Sequence, residues 1–239
     1  MLKSDFVLGW KNIINERYVG RSFGYTSRQS SVGTTNGAGP HNVQIFVLSP
    51  EGVVLHALPG FWHPEDLADE LRLAKAMQKL WESKNHTWVQ KRKMFRRMQL
   101  AAARHQSKDT YARSTWQSFD EHNERARLAR GPRDTFQSNE DGYLLADRRG
   151  NLKLKPINVL VHERMANRGF VWFDDFDIAE FIDYGNRFYD NNRHVDRRGR
   201  QFNFRPQHSK KRSKSKRDKK TGLTKLRRSL SKKSRRKRT

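Results

Sequence analysis

The chain contains no cysteine. That excludes disulfides, thiolate nucleophiles, iron–sulfur clusters and cysteine-ligated zinc from these 239 residues. Long apolar runs are missing too. Nothing approaches the ~18 consecutive apolar residues of a membrane-spanning helix, and the opening MLKSDFVLGWKNIINER holds no apolar stretch of signal-peptide length. Hydrophobic residues make up 34% of the chain and charged residues 31%. That supports one core of ~100–150 residues and leaves part of the chain without one. Negative charge is the other scarcity: 25 Asp and Glu face 50 Lys and Arg, a formal charge of +25.

The excess is unevenly spread. Residues 1–84 carry 9 basic and 8 acidic groups, 85–130 carry 11 and 4, 131–208 carry 13 and 12, and 209–239 carry 17 and 1. The last segment, SKKRSKSKRDKKTGLTKLRRSLSKKSRRKRT, has only Leu223, Leu226 and Leu230 as large apolar residues. Its like charges repel and no core offsets the entropy of ordering, so it reads as a disordered tail. Such a tail neutralises phosphates and releases counterions, which gives salt-sensitive, sequence-blind binding. The contacts to a polyanion are assigned to Lys210, Lys211, Arg212, Lys232, Lys233, Arg235, Arg236, Lys237 and Arg238. No base-reading motif accompanies them. A solubilising tail, an anionic membrane surface and a nuclear-import signal fit the same composition.

Local signals order the rest. Phe6–Ile14 predicts a strand. Asn42–Leu48 and Val53–Leu58 flank the turn Ser49-Pro-Glu-Gly52 and predict a β-hairpin. His63-Pro64-Glu65-Asp66 opens a helix, with proline at its first position and acids at the positive end of its dipole. Leu67, Leu71, Ala74 and Trp81 form its apolar stripe, widened by Leu73, Met77 and Leu80, and the helix runs to about Ser83. Residues 85–106 and 109–130 predict a basic helical extension with solvated faces. Tyr143–Ala146 pairs with Leu152–Leu154 as short strands, and helices follow at Pro156–Asn167 and Phe173–Asn191.

Catalytic signals are sparse. Asp174, Asp175, Asp177, Glu180 and Asp183 cluster within ten residues, but acids at a helix start are ordinary caps. Nine histidines, among them His41, His56, His63, His162 and His194, fall into no close ligand spacing. Gly33, Gly37 and Gly39 make a glycine-rich loop with no Gly-Lys-Ser/Thr after it. No G-x-S-x-G elbow and no calcium loop is present. No residue is assigned a catalytic, cofactor-binding or metal-binding role.

The segment PHNVQIFVLSPEGVVLHALPGFWHPEDLADEL resembles the second half of a thioredoxin-like domain: a loop ending in proline, an antiparallel hairpin, then a packed helix. The resemblance covers residues 1–84, about a third of the chain. It implies that Pro40, after Gly39, is a cis-proline and that Phe6–Ile14 is the earlier central strand. The family's redox chemistry needs a thiolate at a helix N-terminus, usually as C-x-x-C, which is absent here.

The fold class expected is α+β: a partial thioredoxin-like sheet with its packed helix at 1–84, a basic helical extension at 85–130, a small α+β module at 131–208 and a disordered basic tail at 209–239. The function expected is non-catalytic: a redox-inactive binding or scaffold protein of the cytoplasm, associated with nucleoid or ribosome. Its tail contacts nucleic acid or ribonucleoprotein, and its thioredoxin-like module offers a surface to a protein partner. The alternative is a thiol–disulfide oxidoreductase whose C-x-x-C half is encoded ahead of Met1.

Overall fold

The computed structural model describes residues 2–19, 33–128 and 133–185. The tail from 209, with Lys210, Lys211, Arg212, Lys232, Lys233, Arg235, Arg236, Lys237 and Arg238, lies outside the described residues, as does 186–191 of the last expected helix. The architecture is mixed: helices around a small antiparallel sheet of order β1-β2-β3.

The hairpin forms where the turn chemistry places it. β1 (Gln44–Leu48) and β2 (Val53–Pro59) pair antiparallel, Phe46 opposite Ala57, with an irregularity between Val47 and Leu48. Gly52 closes the turn at φ 95°, and Ser49 anchors it through the bond donated by the Val53 amide to its hydroxyl at 3.2 Å. β2 is buried along its whole length. Its second edge is taken by β3 (Val171–Trp172).

α2 (Pro64–Glu82) starts at the expected proline. Leu71, Ala74, Met77 and Leu80 face inward, and so do Asp66 and Glu70. α3 (Trp88–Arg104) opens with a reciprocal cap, the Gln90 amide donating to the Thr87 hydroxyl at 3.3 Å and the Thr87 amide to the Gln90 side chain at 2.8 Å. Then come the short α4 (Lys108–Arg113) and α5 (Ser118–Arg127). α6 (Ile157–Arg168) lies against α3 and β2.

One apolar cluster runs from Val47 through Met77, Phe95, Leu160 and Phe170 to Tyr184. α3 is therefore part of the core: Phe95 and Gln99 are fully buried. The solvated-arm expectation for 85–106 needs correcting, because α6, distant in sequence, supplies the face on which α3 packs.

Three further expectations change. Phe6–Ile14 is not a strand: α1 (Leu2–Asp5) precedes it, and Val7, Leu8, Trp10 and Ile14 are exposed without ladder partners. The described part of Phe173–Asn191 is broken into a 3-10 turn and the short α7 (Ile178–Phe181), because Asp177 caps α7 by accepting from the Glu180 amide at 2.8 Å. The peptide bond before Pro40 is trans, as are all those described; Gly39 makes the bend there with φ 70°. Residues 143–154 meet only through isolated bridges, including Ala146 with Leu152.

Candidate functional site

Two places gather chemistry-bearing side chains. The first is buried. His56 sits mid-way along β2, Glu70 on the inner face of α2, Gln99 on the inner face of α3 and His162 on α6. His56 Nε2 donates to Glu70 Oε2 at 2.8 Å, and His162 Nε2 reaches Glu70 Oε1 at 3.2 Å. On the far side of the rings, His162 Nδ1 donates to Gln99 Oε1 at 2.7 Å, and Gln99 Nε2 meets His56 Nδ1 at 3.5 Å. The two imidazoles lie nearly parallel, 10° apart, with centroids separated by 5.4 Å.

The arrangement is a closed ring of four polar side chains. Glu70 bridges both Nε2 atoms and Gln99 bridges both Nδ1 atoms. Burial pushes His56 down, toward its neutral form, against the pull of the Glu70 carboxylate. Burial also opposes ionisation of Glu70, but His162 and His56 together hold it below the ordinary carboxylate range. Both ring nitrogens of His162 face acceptors, Gln99 Oε1 and Glu70 Oε1.

Among the described residues, His56, Glu70 and His162 are the one set close enough to ligate a metal. Their Nε2 atoms are occupied as donors to the carboxylate, so a cation would have to displace both protons. The ring satisfies itself, which is the condition for keeping polar groups in a core.

A neighbouring network follows the same rule. Asp66 accepts from Arg113 Nε at 2.8 Å and Nη2 at 2.7 Å, from Asn36 at 2.7 Å and from Thr110 at 2.9 Å. Burial raises Asp66, but these four bonds outweigh it and hold the carboxyl below its usual range. The glycine-rich loop leads into this network rather than cradling an anion. The Gly37 amide is spent on Phe61 O at 2.7 Å, and a Cβ on Gly37 would stand 2.1 Å from Ile157 Cγ2.

The second place is open to solvent. A groove of about 340 Å³ runs between α3 and the end of α6, lined by Trp88, Val89, Arg92, Lys93, Arg96, Ala166, Asn167 and Gly169. No carboxylate lines it. α3 carries six basic residues, Lys91, Arg92, Lys93, Arg96, Arg97 and Arg104, and no acid at all. Lys91 is used internally, donating to Trp81 O and lying 5.6 Å over the Trp81 ring. Arg96 donates to Asn167 Oδ1 at 2.7 Å. Arg92, Lys93 and Arg96 have no acidic partner among the described residues. Elsewhere Arg72, Arg113, Arg125, Arg127, Arg164 and Arg168 are all paired with carboxylates.

The acidic cluster at 174–183 is structural where its partners are seen. Asp177 is a cap, Glu180 pairs with Arg168 at 3.0 Å and Asp183 with Arg127 at 2.8 Å. Sequence reasoning missed the buried ring altogether. The available signal was an acid on the apolar stripe of α2 and a histidine inside each of two apolar segments, VVLHALP and INVLVHERM. No helix among the described residues is long and apolar enough to cross a membrane. Set against protein-family models, curated proteins and solved structures, the chain finds no match.

Proposed function

We propose that this chain is a non-catalytic binding protein for nucleic acid or ribonucleoprotein. In this reading the folded part presents the cations of α3, and the tail supplies Lys210, Lys211, Arg212, Lys232, Lys233, Arg235, Arg236, Lys237 and Arg238 as further phosphate contacts. The hairpin and α2 serve as a thioredoxin-like half-module used for scaffolding rather than redox chemistry.

The observation that carries the reading is the acid-free helix α3. Its outer cations Arg92, Lys93 and Arg96 have no carboxylate partner among the described residues, and they line one groove that holds no acid. Lys91 is held by Trp81, but Arg92 and Lys93 beside it have no carboxylate partner among the described residues. Helix stability gives no reason for them, whereas a polyanion does.

The test is a salt titration of oligonucleotide affinity, comparing the full chain with one ending at His208. Each lost phosphate contact lowers the slope of log affinity against log salt by ~0.7–0.9. The reading expects a shallower slope and weaker binding for the shortened chain. Equal affinity and slope for both chains would remove the tail from the account.

A further inference from the structure

We infer that the groove between α3 and the end of α6 is a subsite for one unstacked nucleotide of a single strand, with its base against Trp88 and its phosphate among Arg92, Lys93 and Arg96. This rests on the nucleic-acid reading and narrows it from polyanions in general to strands with free bases.

The shape comes first. At about 340 Å³ the groove falls in the range of small-ligand sites, ~300–1,000 Å³. It is concave, so it does not suit the flat face of a lipid surface. Small and apolar residues, Ala166, Gly169 and Val89, line it beside Trp88. Gly169 keeps one wall bare: Arg92 Nε lies 3.6 Å from where a Cβ would stand, and at φ 72° other residues are strained.

The aromatic wall is pre-set. Trp88 is 49% exposed, yet its ring is held by Trp81 in a T-shaped contact at 6.0 Å and by Phe170 at 6.3 Å. A half-exposed ring held by its neighbours at the lip of a groove serves as a stacking platform, and base–aromatic stacking tolerates any base. The cations are complementary to phosphate, unpaired by acids and one helical turn apart at Arg92 and Arg96. The Arg96–Asn167 bond fixes one guanidinium across the groove. A duplex keeps its bases stacked inside and cannot use Trp88. A peptide of acidic residues uses the cations but gains little from the indole.

The experiment uses the full chain and five probes: a 12-nucleotide single strand as RNA, the same as DNA, a duplex of matched phosphate number, heparin, and polyglutamate. Three variants are compared with the unaltered chain: Trp88→Ala, Trp88→Phe, and the triple change Arg92→Gln, Lys93→Gln, Arg96→Gln. Circular dichroism on each verifies the fold. Trp88→Ala is expected to weaken single-strand binding about tenfold or more and to leave heparin and duplex affinity unchanged. Trp88→Phe, which keeps an aromatic face, restores most of the loss. The triple change weakens all anionic probes and lowers the single-strand salt slope by about 0.7, the share of the one phosphate held in the subsite. RNA binding above DNA places the 2′-hydroxyl in the subsite; equal binding leaves base and phosphate as its determinants, and both results support it.

Single-strand binding by the full chain that is indifferent to Trp88→Ala and to the triple change overturns the subsite while the tail reading stands. So does equal loss on heparin and single strand with Trp88→Ala, or polyglutamate bound as tightly as the strand and equally dependent on Trp88. No binding of any nucleic acid by the unaltered chain overturns the broader reading as well.

Discussion

The two faces of α3 obey opposite rules. Inward, Gln99 is fully buried and spends both ends of its amide on the two histidines of a closed ring. Outward, Arg92, Lys93 and Arg96 stand in water with no carboxylate to answer them. Inside, each polar group must find a protein partner because water cannot reach it. Outside, water solvates each charge at little cost, so an unpaired cation is free to be used on a ligand. The difference teaches where function is to be sought. The chemically richest cluster is the most self-contained, and the plainest basic face is the one with capacity to spare.

Breaking the inner face gives the largest effect. Glu70→Ala leaves His56 and His162 facing a void in the core, and removing one member of a buried pair typically costs about 3–5 kcal/mol. Urea unfolding of the variant should lose that much. A loss under about 1 kcal/mol would mean that the ring is not a structural requirement. Arg113→Met comes next. It leaves the Asp66 carboxylate buried without its fork, and about 3 kcal/mol is expected by the same measurement. Arg113 is itself partly exposed, which allows water to recover some of the loss.

Acid sharpens the comparison because only the inner face titrates in the relevant range. The His56 pKa is lowered by burial below the ordinary 6.5, so its contribution is complete above that value and declines as pH falls below it. The Glu70 and Asp66 pKa values are also depressed, from 4.5 and 3.8, so their contributions hold above those values and are lost as pH falls further. Stability against pH should therefore decline in two stages, the first starting near 6.5 and the second below 4.5. In Glu70→Gln the second stage should be visibly smaller.

The outer face gives the smallest effect on stability. Replacing Arg92, Lys93 and Arg96 by glutamine should leave unfolding within about 0.5 kcal/mol of the parent. A loss of several kcal/mol would show that these cations hold the fold and would void the contrast between the faces.

Much of the fold is legible locally. Ser49-Pro-Glu-Gly52 between two β-rich runs specifies the hairpin, and Pro64 with Glu65 and Asp66 marks the start of α2 to the residue. Pro156 places the start of α6 within one residue, as the cap ahead of Ile157. These signals work because proline geometry, turn dihedrals and dipole preferences act within a few residues. The failures share a different character. The run Phe6–Ile14 has the composition of a strand, but composition does not supply a neighbour to pair with. The periodicity over 173–191 is helical, yet Asp177 prefers to cap and restart the chain. The basic colour of α3 suggests a solvated arm, while its buried stripe is covered by α6.

The sequence by itself determined the charge, its partition, the absence of thiol chemistry and the places where chain direction changes, because each is a property of residues or of close neighbours. Only the tertiary structure decided that His56, Glu70, Gln99 and His162 form one ring, or that Trp88 shares a groove with Gly169. Gln99 stands 43 residues from one of its histidines and 63 from the other. Contacts at such separations come from which helix faces pack on β2, and no local spacing encodes that.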